Sequence, residues 1–279
     1  MILPEFPPFV QFETTTLCNS ECITCPNRAL QGIRPQVMHS GFIEQIVAEM
    51  HVFQEHVRTV IPFVHGEPLL YPELIPLIRG ISQTVGYNKV EIATNAALLD
   101  EQMRNAIEDL LRHDMIRTLV FSVDGYAHFG EVRKGLDRDQ VYGNIERFLE
   151  QTMYREKLRV DMTVCKSNRS DLPEFAEYWT ARGVNWNFSA ADGRYNKEES
   201  ISKGTCLPCR ILWESVYILS NGLLAPCCID WRGDMVLGDL AEHDIHTIWH
   251  GERYESMRRV HLECRKPTYE LCVNCDRDM

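Results

Sequence analysis

The sequence predicts an α/β protein: a parallel sheet flanked by helices, followed by a small cysteine-rich segment. Three observations carry that reading. Short β-branched runs alternate with amphipathic stretches through roughly the first 190 residues. Polar motifs stand at the carboxyl ends of four of those runs. Near residue 193 the texture changes, and seven of the eleven cysteines lie beyond that point.

The strands expected from the runs are 9–13 (FVQFE), 57–64 (VRTVIPFV), 89–94 (KVEIAT), 116–123 (IRTLVFSV), 158–165 (LRVDMTVC) and 184–190 (VNWNFSA). Helical periodicity occupies 40–55, 72–85, 99–113, 137–153 and 171–182. Pro72 suits a first turn, and Asp171 suits a helix N-cap. Six strands with intervening helices imply right-handed βαβ units. In such sheets ligands bind beyond the carboxyl ends of the strands. Cys18, Cys22 and Cys25 follow the first strand, HGEP the second, TNA closes the third and SVDG the fourth. Four polar elements are thereby expected on one rim.

The stretch DGRYNKEESISKG is polar and linker-like, which divides the chain into 1–195 and 204–279. In the second part SVYILSNGLLAPCC reads as a β-hairpin turning at Asn221-Gly222. Residues 242–260 read as one helix. This part has little continuous apolar sequence, so metal ligation would supply the stability that its core lacks. Trp213, Trp249 and Cys165 read as core residues.

Composition narrows the function. Hydrophobic content of 44% and charged content of 25% are those of a globular protein. A net charge of −11 opposes a nucleic-acid or anionic-membrane surface. MILPEFPPFVQFE has neither a basic lead nor an apolar run long enough for a signal or a span, which points to the cytoplasm. Disulfides are disfavoured there, so the cysteines call for metal or thiol chemistry.

A structural zinc site or a fully ligated iron–sulfur cube takes four protein ligands. Three thiols in one loop, spaced CxxxCxxC, leave one metal position open for a small molecule. The alternatives are a fourth ligand from elsewhere, or zinc with His39.

CNSECITC resembles the signature of the radical S-adenosylmethionine (SAM) superfamily, FVHGEPLLYPEL resembles its GGEP element, and FSVDG its strand-four ribose element. The resemblance spans about 190 residues and implies a partial (β/α)6 barrel. It implies that Cys18, Cys22 and Cys25 hold three irons of a 4Fe-4S cube whose fourth iron is chelated by S-adenosylmethionine. Backbone of Gly66, Glu67 and Pro68 would receive the methionine ammonium. Ser122 and Asp124 would lie near the ribose, Asn95 near the cofactor, and Arg133 would pair with the methionine carboxylate. The chain has His65 where the family commonly has glycine, and Ala96 where it commonly has the glycine of TNG.

In the second part, Cys209, Cys227, Cys272 and Cys275 can make either a closed zinc site or a second 4Fe-4S cluster. Resemblance to the twitch domain, the shortened SPASM extension with one auxiliary cluster, favours iron, with Cys206 the alternative to Cys209. Cys228 and Cys264 are left to packing or exposure. A fully ligated cluster accepts or relays an electron, which favours net oxidation. Asp230 is the candidate base beside it.

The resemblance therefore implies an oxidoreductase similar to the twitch-type dehydrogenases of aminocyclitol antibiotic biosynthesis. The substrate would be a small polar metabolite, and the electron source an external one-electron donor such as flavodoxin or ferredoxin. The early start of strand one leaves no room for a leader-peptide-binding domain before it. The alternatives are a maturase acting on a ribosomal precursor peptide, and a non-catalytic zinc protein.

Overall fold

The computed structural model describes residues 2–30, 32–191, 208–265, 269–272 and 275. In chain order its main elements are β1 (Phe9–Phe12), α1 (Ser40–Val52), β2 (Thr59–Ile61), α2 (Leu74–Val85), β3 (Val90–Thr94), α3 (Glu101–Arg112) and β4 (Ile116–Ser122). There follow α4 (Phe129–Val132), α5 (Arg138–Gln151), β5 (Leu158–Val164), α6 (Leu172–Ala181) and β6 (Asn185–Ala190). Beyond residue 207 come β7 (Ser215–Ile218), β8 (Leu223–Ala225), β9 (Gly238–Asp239) and helices Ile245–Trp249 and Glu252–Leu262. Cys206, the alternative auxiliary ligand, lies outside the described residues.

The chain divides into two compact units that interleave along the sequence. One comprises 1–16, 30–65 and 199–279, the other 17–29 and 66–198.

In the second unit β3, β4, β5 and β6 are joined pairwise, all in parallel. Val90, Ile92 and Thr94 of β3 are buried and alternate with half-buried Glu91 and Ala93, the period of a strand with two unequal faces. Leu119, Phe121, Val160, Phe148 and Trp179 are fully or almost fully buried. Each such side chain is worth about 1.5–3 kcal/mol of transfer free energy.

In the first unit β2 and β7 both pair with β1 in parallel, and β8 and β9 continue antiparallel. The hairpin β7–β8 turns at Asn221-Gly222 as the sequence predicts, with Gly222 at φ +84°. A Cβ there would lie 2.7 Å from the Phe42 ring, so glycine is required twice over. Trp213, Trp249 and Cys165 are buried in their units as expected.

Four local expectations are corrected. Strand two spans only Thr59–Ile61, because Pro62 cannot donate to a ladder. The single helix expected over 242–260 is two helices, the second opening at Gly251, whose extended φ −75° and ψ 160° interrupt the first. Asp171 makes no side-chain cap to α6; its carboxylate accepts from the His128 amide at 2.9 Å and meets His128 Nδ1 at 2.5 Å. Cys264, expected to be packed or exposed without a role, is disulfide-bonded. Among the described residues no helix is long and apolar enough to cross a membrane.

Candidate functional site

The cysteine loop after β1 is held by HGEP, by the TNA turn and by the chain at the end of α4. The Glu67 amide donates to Leu17 O at 2.7 Å, which fastens HGEP to the loop's start. Asn95 Nδ2 donates to Asn19 Oδ1 at 2.8 Å and its Oδ1 accepts from the Ala97 amide, so this side chain bridges the TNA turn to the loop. On the far side the segment after α4 runs alongside: the Glu21 and Ile23 amides donate to Lys134 O and Val132 O, and Ser20 Oγ donates to Lys134 O at 3.1 Å. Ser20 Oγ also lies 3.0 Å from Cys22 Sγ. All three cysteines are free thiols. Burial pushes Cys18 up to about 11, against the pull of the Ser20 backbone and of Arg133.

Glu67 carries its motif inward. Its carboxylate accepts from Thr94 Oγ1 at 2.6 Å, the Asn95 amide at 2.8 Å and the Leu69 amide at 3.1 Å. Burial raises its pKa despite these donors. The Glu67 side chain is thereby spent on internal contacts. Gly66 is at φ +84°. Ala96 holds φ +61° while fully buried, so the glycine conformation of a TNG turn persists here without glycine. Thr94 Oγ1 accepting from the Ala96 amide and Asn144 Nδ2 donating to Ala96 O keep it there.

Ser122 closes β4 half-buried. Asp124 is fully buried and committed: Oδ1 accepts from the Thr163 amide at 2.7 Å, and Oδ2 is 2.7 Å from Arg133 Nε. Burial opposes the Arg133 charge, but Asp124 and the Cys22 and Cys25 thiols more than restore it, so the guanidinium stays cationic beside the cysteines. Gly125, at φ +92°, is required because a Cβ would fall 2.5 Å from Asp171 Oδ2.

The cysteines expected to hold the auxiliary cluster lie in the first unit. Cys209, Cys227 and Cys228 pack with Val64 against a core of Ile211, Tyr217, Leu219 and Ala225. His261 joins two expected ligands, accepting from the Cys209 amide at 3.3 Å through Nδ1 and lying 3.7 Å from Cys272 Sγ through Nε2. Cys272 is also felt by the Cys227 thiol, and the Cys275 amide donates to Cys272 O. Burial drives the Cys227 thiol well up. Asp230 is buried rather than solvated, and its two oxygens accept from the Asp234 and Met235 amides at 2.9 Å each. It staples its own turn.

Two constellations escape sequence reading. His128 with Asp171 is one. The other is Glu13, whose carboxylate takes both a forked Arg34 (2.6 and 2.8 Å) and His65 Nδ1 (2.9 Å), while also accepting from the Ser220 amide at 3.1 Å. Their partners are 21 to 207 residues apart in sequence, which leaves no local spacing to find.

The family comparison decides what the first loop serves. Residues 12–178 match the radical SAM superfamily, a span that contains the cysteine loop, HGEP, TNA, SVDG and Arg133. The chain belongs to the radical SAM superfamily. Residues 209–276 match SPASM, an iron-sulfur cluster-binding domain. This radical SAM enzyme therefore uses S-adenosylmethionine with a 4Fe-4S cluster, and its SPASM region brings auxiliary iron–sulfur binding. The residues present fit these groups: three soft thiols in one braced loop with a buried guanidinium beside them, and a second set of thiols around His261.

Among curated proteins, the S-adenosyl-L-methionine-dependent 2-deoxy-scyllo-inosamine dehydrogenase of Niallia circulans is 23% identical over 96% of this chain and 92% of its own. The crystal structure of BtrN in complex with AdoMet and 2-DOIA matches with a TM-score of 0.68 at 16% identity, covering 99% of this chain and 94% of that one. SuiB of Streptococcus suis bound to the precursor peptide SuiA matches with a TM-score of 0.70 at 15% identity, over 92% and 67%. The fold of this chain is accordingly the partial α/β barrel of the superfamily.

Proposed function

We propose that this radical SAM enzyme is a dehydrogenase of a small polar metabolite of the sugar or aminocyclitol class. The supporting observation is the similarity to the inosamine dehydrogenase over 96% of this chain and 92% of that protein. We read 1–195 as the catalytic segment and 204–279 as the auxiliary-cluster segment. The setting is the cytoplasm, with flavodoxin or ferredoxin as electron donor.

Cys18, Cys22 and Cys25 bind three irons and leave the fourth to S-adenosylmethionine. Arg133, braced from behind by Asp124, takes the methionine carboxylate, and the backbone of Gly66 to Pro68 takes its ammonium. Ser122 lies toward the ribose, and Asn95 keeps the cysteine loop in register with the TNA turn. Cys209, Cys227, Cys272 and Cys275 hold the auxiliary cluster. The bound cofactor and reduced cluster supply a 5′-deoxyadenosyl radical, which removes hydrogen from carbon. The protein's part is to orient the carbon, exclude water and carry away the proton and the electron.

Anaerobic incubation with dithionite, S-adenosylmethionine and ring-deuterated 2-deoxy-scyllo-inosamine tests this. Deuterium in 5′-deoxyadenosine together with a ketone product is the expected result. 5′-Deoxyadenosine without deuterium, but with modification of an added precursor peptide, would replace this reading with that of a maturase. Absence of 5′-deoxyadenosine under all conditions would remove both.

A further inference from the structure

We propose that Arg258 is the buried counter-charge of the auxiliary iron–sulfur cluster and raises its reduction potential. The inference rests on the reading in which Cys209, Cys227, Cys272 and Cys275 hold that cluster.

Tyr254, Arg258 and His261 stand at i, i+4 and i+7 of the helix Glu252–Leu262, so they share one face, and all three are buried. Both ends of that face meet the cysteines of the same unit. His261 accepts from the Cys209 amide at 3.3 Å and lies 3.7 Å from Cys272 Sγ. Tyr254 interacts electrostatically with Cys227. Between them, Arg258 Nε donates to Leu212 O at 2.8 Å, and the Leu212 amide donates to Cys209 O at 3.3 Å. The guanidinium is therefore one hydrogen-bonded turn away from an expected ligand.

Arg258 is only 4% exposed. Burial lowers its pKa to about 10, which leaves it cationic at neutral pH. Its partners are neutral: Nη1 donates to Trp249 O at 2.7 Å, and the guanidinium lies 4.2 and 4.8 Å from the ring centres of Trp249 and Tyr254. They satisfy hydrogen bonds without cancelling the charge. Among the described residues no carboxylate forms an ion pair with Arg258, and Glu255, whose charge it feels, is exposed. Nη2 is buried with no hydrogen-bond partner among the described residues, and so is the Tyr254 hydroxyl. A buried cation in that condition is costly unless a counter-charge arrives. Four thiolates on a 4Fe-4S core supply it, and one-electron reduction adds a further negative charge. A fixed cation attracts the reduced form more strongly than the oxidised one, so it favours electron uptake. In the dehydrogenase reading the substrate radical gives one electron to the cube and its hydroxyl proton, finally, to solvent, which leaves the ketone. Arg258 makes that electron transfer more downhill.

The test is an anaerobic dithionite titration with redox mediators, followed by electron paramagnetic resonance, on wild type, Arg258→Gln and Arg258→Lys. Iron and sulfide are assayed in each as the folding control. The reduced signal that stays in place when S-adenosylmethionine is added belongs to the auxiliary cube, and the one that moves belongs to the first. In Arg258→Gln, which keeps a donor but loses the charge, the auxiliary reduction equilibrium should fall at least tenfold, about 59 mV for one electron. In Arg258→Lys it should stay within about threefold of wild type, and the first cube should be unmoved in both. Should Arg258→Gln fail to retain about eight irons, Arg258→Lys decides: both cubes at wild-type potentials support the charge, and loss of either overturns it. An auxiliary potential unmoved in fully loaded Arg258→Gln, or lowered equally in Arg258→Lys, also overturns the proposal. Wild type holding about four irons, with one reducible signal, would instead fault the four-cysteine reading on which the proposal rests.

Discussion

Replacing Glu13 by Gln tests the buried network quantitatively. Burial alone would raise the pKa of this carboxyl, but hydrogen bonds and charge from His65 and Arg34 overcome it and push the value from an ordinary 4.5 down to about 2. A lowered carboxylate contributes stability that is complete above 4.5 and drains away as pH falls from there toward about 2, so at pH 7 all of it is at stake. At about 1.4 kcal/mol per tenfold, that displacement is worth about 3 kcal/mol. The variant also strands Arg34, 1% exposed, without its counter-charge, a loss of the same order for a broken buried pair. The assay is hydrogen exchange by mass spectrometry on the anaerobic holoenzyme at pH 7, followed in peptides covering 9–16 and 213–222. Exchange there should accelerate about a hundredfold in Glu13→Gln, with the Ser220 amide among the sites released. Unchanged protection in both peptides would refute the claim that this pair organises the ends of β1 and β7.

Other outcomes follow from the same geometry. Cys22→Ala should abolish 5′-deoxyadenosine while about four irons remain, whereas Cys227→Ala should lose a similar share of iron yet keep 5′-deoxyadenosine and lose ketone; iron assay and product chromatography separate them. Ala96→Gly relieves a left-handed alanine at φ +61°, so thermal unfolding should shift upward by about 1 kcal/mol equivalent, and a downward shift would contradict the strain. Gly222→Ala should cost about 1–3 kcal/mol in denaturant unfolding, because left-handed strain adds to the clash with Phe42.

Much of the fold was legible because its signals are local. The β-branched runs from Val90 to Ala190 fall within a residue of the observed strands, and Asn221-Gly222 announced its hairpin. The cysteine loop was legible because its spacing is its chemistry. What escaped depends on distance. Nothing near Ser215 says that β7 will lie parallel to β1, some 200 residues earlier, since parallel pairing leaves no turn to read. Glu13 looked like the polar end of a strand, and only the fold brings Arg34, His65 and Ser220 to it. Asp171 has the sequence of an N-cap, yet a histidine 43 residues away competes for its carboxylate and wins. Asp230 was placed beside the auxiliary cysteines by position alone; the turn amides that consume its oxygens become visible only once the chain is folded.

The central claim is that Cys18, Cys22 and Cys25 hold a cube with one iron left for S-adenosylmethionine, while the second cysteine set holds a closed cluster. Mössbauer spectroscopy of 57Fe-reconstituted enzyme, with and without S-adenosylmethionine, tests it most directly. About eight irons per chain are expected, with the signal of about one iron in eight moving when S-adenosylmethionine is added. A spectrum indifferent to S-adenosylmethionine, or protein that retains zinc and no sulfide, would contradict the account.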